Sequence, residues 1–247
     1  MLTEKEIRFD DVVSIKIPTV KEVATDKRYG IRSHIFNVST RELFSPSKNV
    51  DELERQYPTV WEMMFDEEND GDIMLGHLLG IEHPASALVM ECFEYWTGLD
   101  KTGFRKLLNG KIIHEQSGWI VDKSKFNDFR EAISQITCYE PNSEVIAPEN
   151  MTPTRHARWL PFYKALMQRA SRKKGNGMAE RIIVLQANFS TYTPASEILQ
   201  MTYFQFLKLF QVLNEKEAYL RNWEIGISPK FESDIKKVKH WSEKVHV

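Results

Sequence analysis

Apolar positions recur along this chain with two periods, and the places where the period changes mark its elements. Late in the sequence, Met201-Thr-Tyr-Phe-Gln-Phe-Leu-Lys-Leu-Phe-Gln-Val-Leu213 sets Tyr203, Phe206, Leu207, Phe210 and Leu213 along one helical face. Thr202 followed by Gln205 is the signature of a capping box, in which side chains satisfy the free N–H groups of a first turn. The same signature appears at Ser39 and Glu42, and at Thr59 and Glu62 ahead of Val60, Trp61, Met64 and Phe65. Phe126, Phe129, Ile133 and Ile136, spaced 3, 4 and 3 after Ser124, predict another amphipathic helix. Ile73 to Leu79 reads as a short helix broken by Gly80, and Ala85 to Trp96 as a longer apolar segment with the look of a buried one. Trp159, Phe162, Tyr163, Leu166 and Met167 form an apolar stripe on a helix that is otherwise basic.

A period of two is rarer. Val12 to Ile17 alternates and is stopped by Pro18, after which Val20 to Val23 begins a helix. Leu107-Leu-Asn-Gly-Lys-Ile-Ile113 predicts a hairpin, because Asn109-Gly110 suits the two positive φ angles of a type I′ turn. Trp119 to Val121 extends that sheet. The expected fold class is therefore α+β and predominantly helical, with small N-terminal and middle β elements and a helical C-terminal part. Pro141 to Pro153 is polar and proline-bearing, the best linker; it divides the chain into a mixed domain, 1–145, and a helical one, 154–247. Beyond it, Lys173 to Gly177 reads as a loop and Met178 to Phe189 as a helix, although Ile182 to Leu185 alone also suits a strand. Trp223 to Lys230 reads as a loop, and Ile235, Val238 and Trp241 as a last amphipathic segment.

Composition narrows the class. With 247 residues, 42% of them hydrophobic, the chain has ample material for a core. No run approaches the ~18 apolar residues of a membrane span, and Met-Leu-Thr-Glu-Lys-Glu-Ile7 lacks the apolar region of a signal peptide. Cys92 and Cys138 are too few and too far apart for a disulfide framework or a zinc knuckle, so a reducing cytoplasm is the expected setting.

The net charge of −2 hides a segregation. Asp51 to Asp72 holds nine acids and one base, while Met151 to Arg181 holds eight bases and one acid. Such runs suit solvated faces, an electrostatic contact with another protein or another copy of the chain, or nucleic acid. The basic helix Arg155 to Lys174 is the nucleic-acid candidate, with Trp159, Phe162 and Tyr163 available to stack on bases. Against it, no recognised nucleic-acid module accompanies the helix, and its aromatics share a face with Leu166 and Met167, which suits a core. Arg169, Arg172, Lys173 and Lys174 are the expected partner-binding residues.

Candidate chemistry is thin. There is no Gly-rich phosphate loop and no nucleophile elbow. His77 and His83 are six residues apart and separated by Gly80, so they cannot share a helix face as zinc-binding histidines do. His114 stands on a hairpin strand with no second histidine nearby, and Cys138 has no neighbouring base. Asn69-Asp-Gly71 imitates a calcium loop, but His77 occupies the place of its closing Glu. No metal, cofactor or catalytic group is expected.

Several segments in order carry a likeness. Ile17-Pro-Thr-Val-Lys-Glu-Val23, the Leu108-Asn-Gly-Lys-Ile-Ile113 hairpin, Val121-Asp-Lys-Ser-Lys-Phe126 leading into a helix, Met201-Thr-Tyr-Phe-Gln-Phe206 and the closing Lys239-His-Trp241 together resemble proteins of the tail gene clusters of tailed bacteriophages. The likeness is closest to baseplate or tail assembly proteins, including the chaperone-like hub assembly factors of contractile-tailed phages. Met201 stands where leucine is commoner, and the segment around Phe93 to Trp96 has no counterpart. The resemblance implies a protein without catalysis that binds tail or baseplate components in the host cytoplasm. The alternatives it leaves are a minor structural protein retained in the virion and a nucleic-acid-binding phage protein using Arg155 to Lys174.

Overall fold

A computed structural model describes residues 4–172, 177–188, 193–227 and 239–243. The protein is mixed α+β and mostly helical, about 61% helix and 9% strand, with 12 helices and two small antiparallel sheets among the described residues. No helix among the described residues is long and apolar enough to cross a membrane. Contacts group the chain into two compact units.

The larger unit comprises Glu6–Lys16 and Asp26–Gly175. Strands β1 (Glu6–Arg8) and β2 (Ser14–Lys16) pair antiparallel, with Ile7 opposite Ile15. Helices α2 (Tyr29–Asn37), α3 (Thr40–Phe44), α4 (Val50–Gln56), α5 (Val60–Met64), α6 (Gly71–Leu78) and α7 (Ala85–Thr97) follow. Capping defines several of these starts: Ser39 accepts from the Glu42 N–H, and Thr59 with Glu62 forms the complete box that opens α5. The second sheet, β3 (Phe104–Leu107), β4 (Lys111–His114) and β5 (Trp119–Val121), leads into α8 (Lys123–Thr137) and α9 (Pro153–Arg172). Asp122, rather than Ser124, caps α8 by accepting from the Lys125 N–H at 3.0 Å. The core is aromatic: the rings of Phe36, Phe93 and Phe129 lie 5.1–5.8 Å apart, Phe93 also meets Trp119 edge-on at 5.1 Å, and all four residues are buried. Edge-to-face pairs of this kind add to the burial term.

The hairpin forms, but not with the expected turn. Leu107 pairs with Lys111 across three loop residues, and only Gly110 has a positive φ, +73°. A two-residue Asn-Gly turn would pair Arg105 with His114 and turn Phe104 away from the core. The observed register pairs Phe104 with His114 and Lys106 with Ile112 instead. Burial of one face thus overrides the local turn preference.

The smaller unit comprises Met1–Lys5, Ile17–Thr25 and Asn176–Val247. It holds α1 (Val20–Thr25), α10 (Met178–Asn188), α11 (Ala195–Gln200) and α12 (Tyr203–Ile227). Ile182 to Leu185 is helical, and the helix begun at Thr202 runs through Trp223 and Gly226 where a loop was expected. The Thr202 hydroxyl accepts from the Gln205 N–H at 3.1 Å, as its capping role requires. Phe206 is fully buried with Val20, Ile182, Leu185 and Ile198, whereas Phe210 is half-buried against that cluster.

The contacts divide the chain after Gly175, not within residues 141–153. Two interactions explain this. The Met201 carbonyl accepts from the Val20 N–H at 3.0 Å and the Pro18 carbonyl from the Tyr203 N–H at 2.7 Å, drawing an N-terminal segment into the C-terminal unit. The proline-bearing stretch before α9 is strapped to the larger unit by Arg41, as follows.

Candidate functional site

The polar groups that most resemble chemical machinery all hold the fold. Arg41, on α3, is 8% exposed. Its Nη2 donates to Asp51 Oδ1 at 2.8 Å, its Nη1 meets Glu54, and its Nε donates to the Ala147 carbonyl at 2.6 Å. Nη2 also reaches the Pro148 carbonyl, and the Met151 N–H donates to Asp51 Oδ2 at 2.6 Å. One guanidinium therefore joins two carboxylates of the acidic stretch to the segment before α9. Burial works to raise the Asp51 carboxyl, but Arg41 and the Met151 N–H hold it below the usual carboxylate range.

Three further acids of that stretch are similarly engaged. Glu62 closes the α5 capping box and meets Lys123. Asp66 accepts from the Tyr57 hydroxyl at 2.6 Å, which lowers its pKa; burial and this acid push Tyr57 up to about 12. Asp72 accepts from the Ser86 N–H at 2.7 Å, the Ser86 hydroxyl and Lys106 Nζ at 2.9 Å, an arrangement that caps α7 from outside. The Ser86 N–H and hydroxyl thus both go to Asp72, and Lys106 also donates to the Met64 carbonyl at 2.7 Å.

The remaining candidates are histidines and cysteines. His114 is buried on β4, with Nδ1 2.9 Å from Ser117 Oγ and Nε2 3.1 Å from the Asp100 carbonyl. His77 and His83 are exposed, and no cluster of three His, Cys, Asp or Glu side chains could hold a metal ion among the described residues. Cys92 and Cys138 are not joined in a disulfide; burial, above all, pushes Cys92 far above its ordinary value. A cleft of about 260 Å³ lies beside Arg130 on α8. That guanidinium donates to the Phe36 and Val38 carbonyls at 2.8 and 3.1 Å, closing the C-terminal end of α2.

Helix α9 is different. Its 20 residues carry five bases and no acid. Among its described side chains only His156 is buried; Trp159, Leu160, Tyr163 and Leu166 are half-buried, and Phe162 and Met167 are 54% and 45% exposed. Trp159 and Tyr163 stack at 5.0 Å along the inner side, where burial, then Glu42, raises the Tyr163 pKa. Pro161 lies inside the helix and withholds the N–H that the Ala157 carbonyl would accept. Arg155, Arg158, Lys164 and Arg169 form no ion pair among the described residues; Arg155 only donates to the Asn150 carbonyl, at 3.1 Å.

Of the expected partner-binding residues, Arg169 lies exposed on α9, and Arg172 is the last residue of that helix. Lys173 and Lys174 lie outside the described residues, as do Ile235 and Val238. The structure adds Arg155, Arg158 and Phe162 to the same surface. Arg155 and Phe162 stand at multiples of seven from Arg169, a spacing present in the sequence beside the apolar stripe. No known protein family, curated protein or solved structure matches the chain.

Proposed function

We propose that the chain is a non-enzymatic assembly factor for the tail or baseplate of a tailed bacteriophage, working in the host cytoplasm by holding a tail component. The phage attribution rests on the resemblance carried by Met201 to Phe206 and the segments ordered before it. The binding role rests on one observation: α9 is a long helix with five bases, no acid and a mostly unburied apolar flank, while five acids of the stretch from Asp51 to Asp72 are tied to donors within the larger unit. Aromatic and arginine side chains presented together are typical of protein interfaces.

Affinity purification from infected cells, with and without nuclease, tests the reading. A nuclease-resistant complex with a baseplate or tail-hub protein supports it. Recovery of nucleic acid alone, lost when Arg169 and Arg172 are reversed to Glu, overturns it in favour of the nucleic-acid reading. Mass spectrometry of purified virions distinguishes a transient factor, absent from particles, from a minor structural protein retained in them.

A further inference from the structure

Arg155, Phe162 and Arg169 follow one another at intervals of seven, with Arg158 three residues after the first. Two turns of helix nearly close on seven residues, so these four side chains lie in one row along α9. All four are exposed, and the row spans about 21 Å at 1.5 Å per residue. It is a cationic seam with an apolar centre: Arg, Arg, Phe, Arg. None of its arginines meets a carboxylate among the described residues. Lys164 falls on the opposite side of the helix by the same periodicity.

We infer that this seam of α9 docks an acidic amphipathic helix of a partner protein, with carboxylates facing the arginines and an apolar side chain on Phe162. The inference deepens the assembly reading and rests on it for the partner being a protein. A seven-residue repeat is the spacing at which two helices stay in register. Charge complementarity selects the occupant. A second copy docking by the same seam would oppose arginine to arginine in either direction, so self-association is disfavoured there. A polyanionic nucleic acid meets only one exposed aromatic on the row, and the whole chain, at −2, adds no attractive field beyond the Debye length. Guanidinium groups form forked pairs with carboxylates, which fixes the partner's register.

The test uses the full-length protein and a labelled alanine-rich helical peptide carrying Glu, Glu, Leu and Glu at the spacing of the seam. Single- and double-stranded oligonucleotides of equal net charge serve as competitors. Fluorescence anisotropy should show the peptide bound in preference to either oligonucleotide, with affinity falling as salt rises. The Arg155→Glu, Arg158→Glu double variant should weaken it by about tenfold or more. Phe162→Ala should weaken it less, with Phe162→Leu restoring most of the loss, and Lys164→Glu should change it by less than about twofold. Circular dichroism on each variant confirms that these exposed substitutions leave the fold intact. No peptide binding, tighter binding of an oligonucleotide, or peptide affinity that survives the double reversal overturns the inference. The two readings fail separately. Capture of a tail protein that tolerates the double reversal leaves assembly standing and removes the seam. A peptide-specific seam in a protein that captures no tail component does the opposite.

Discussion

The acidic stretch Asp51 to Asp72 and the basic helix α9 are near mirror images in composition and opposite in structural fate. Five of the nine acids, Asp51, Glu54, Glu62, Asp66 and Asp72, are tied to named donors within the larger unit. Glu67, Glu68 and Asp70 are exposed at the turn before α6, and Glu52 on α4 is exposed as well. None of the described arginines and lysines of α9 meets a carboxylate. The lesson concerns how charge runs are read. A carboxylate is short and sits close to its backbone, so it readily caps helix starts and pairs with buried donors, as Asp66 and Asp72 do. The described bases of α9 are all exposed, on a helix that buries one described side chain, and none of them has a carboxylate within reach.

The largest expected effect on that contrast comes from Arg41. Arg41→Ala leaves two carboxylates and two backbone carbonyls without their donor, and removing one side of a buried ion pair costs about 3–5 kcal/mol. Denaturant unfolding should show this as a lower midpoint. A loss below about 1 kcal/mol would mean that the acids of this stretch are solvated after all.

Gly71 offers a second, smaller disruption at the end of the acidic stretch. A Cβ there would collide with the Met63 carbonyl oxygen. Gly71→Ala is therefore expected to cost about 1–3 kcal/mol through displaced backbone, read from the same unfolding curves. An unchanged midpoint would show that the turn joining α5 to α6 yields easily.

Acid titration sharpens the comparison further. Asp51, Glu62 and Asp66 are held below their ordinary values in the folded protein. Groups lowered on folding contribute stability that is present above their unfolded values, about 4, and is lost as pH falls below them. Asp10 adds to this window: despite its burial, Lys125, the Val12 and Val13 N–H groups and Trp119 lower it to about 2. Stability should therefore decline between about pH 4 and 2, and Asp10→Asn should flatten the lower part of that decline. A stability curve level across that range would contradict the pairing described for these acids.

The smallest expected effect lies on α9. Arg169→Glu and Arg158→Glu should each change unfolding free energy by no more than about 0.5 kcal/mol, because both side chains are exposed and unpaired. Loss of stability well beyond that figure would show that α9 is held by its charges, and the contrast with the acidic stretch would disappear.

The sequence by itself determined the parts that depend on near neighbours. The mostly helical α+β class, the capping box at Thr59, the Thr202 cap, the amphipathic helix containing Phe126, Phe129, Ile133 and Ile136, and the hairpin between Leu107 and Ile113 all follow from side chains within one or two turns of each other. Tertiary structure decided whatever required partners far along the chain. It replaced the expected two-residue turn with a three-residue loop, because one face of the sheet has to bury Phe104, Ile112 and Trp119. It tied residues 147–151 to Arg41 and Asp51 about 100 positions away, and drew Pro18 and Val20 against Met201 and Tyr203. It also tied five acids of one charge run to donors and left the described bases of α9 exposed. Composition could not decide that, because the pairing of a charge is settled by which donors or acceptors packing places within about 4 Å.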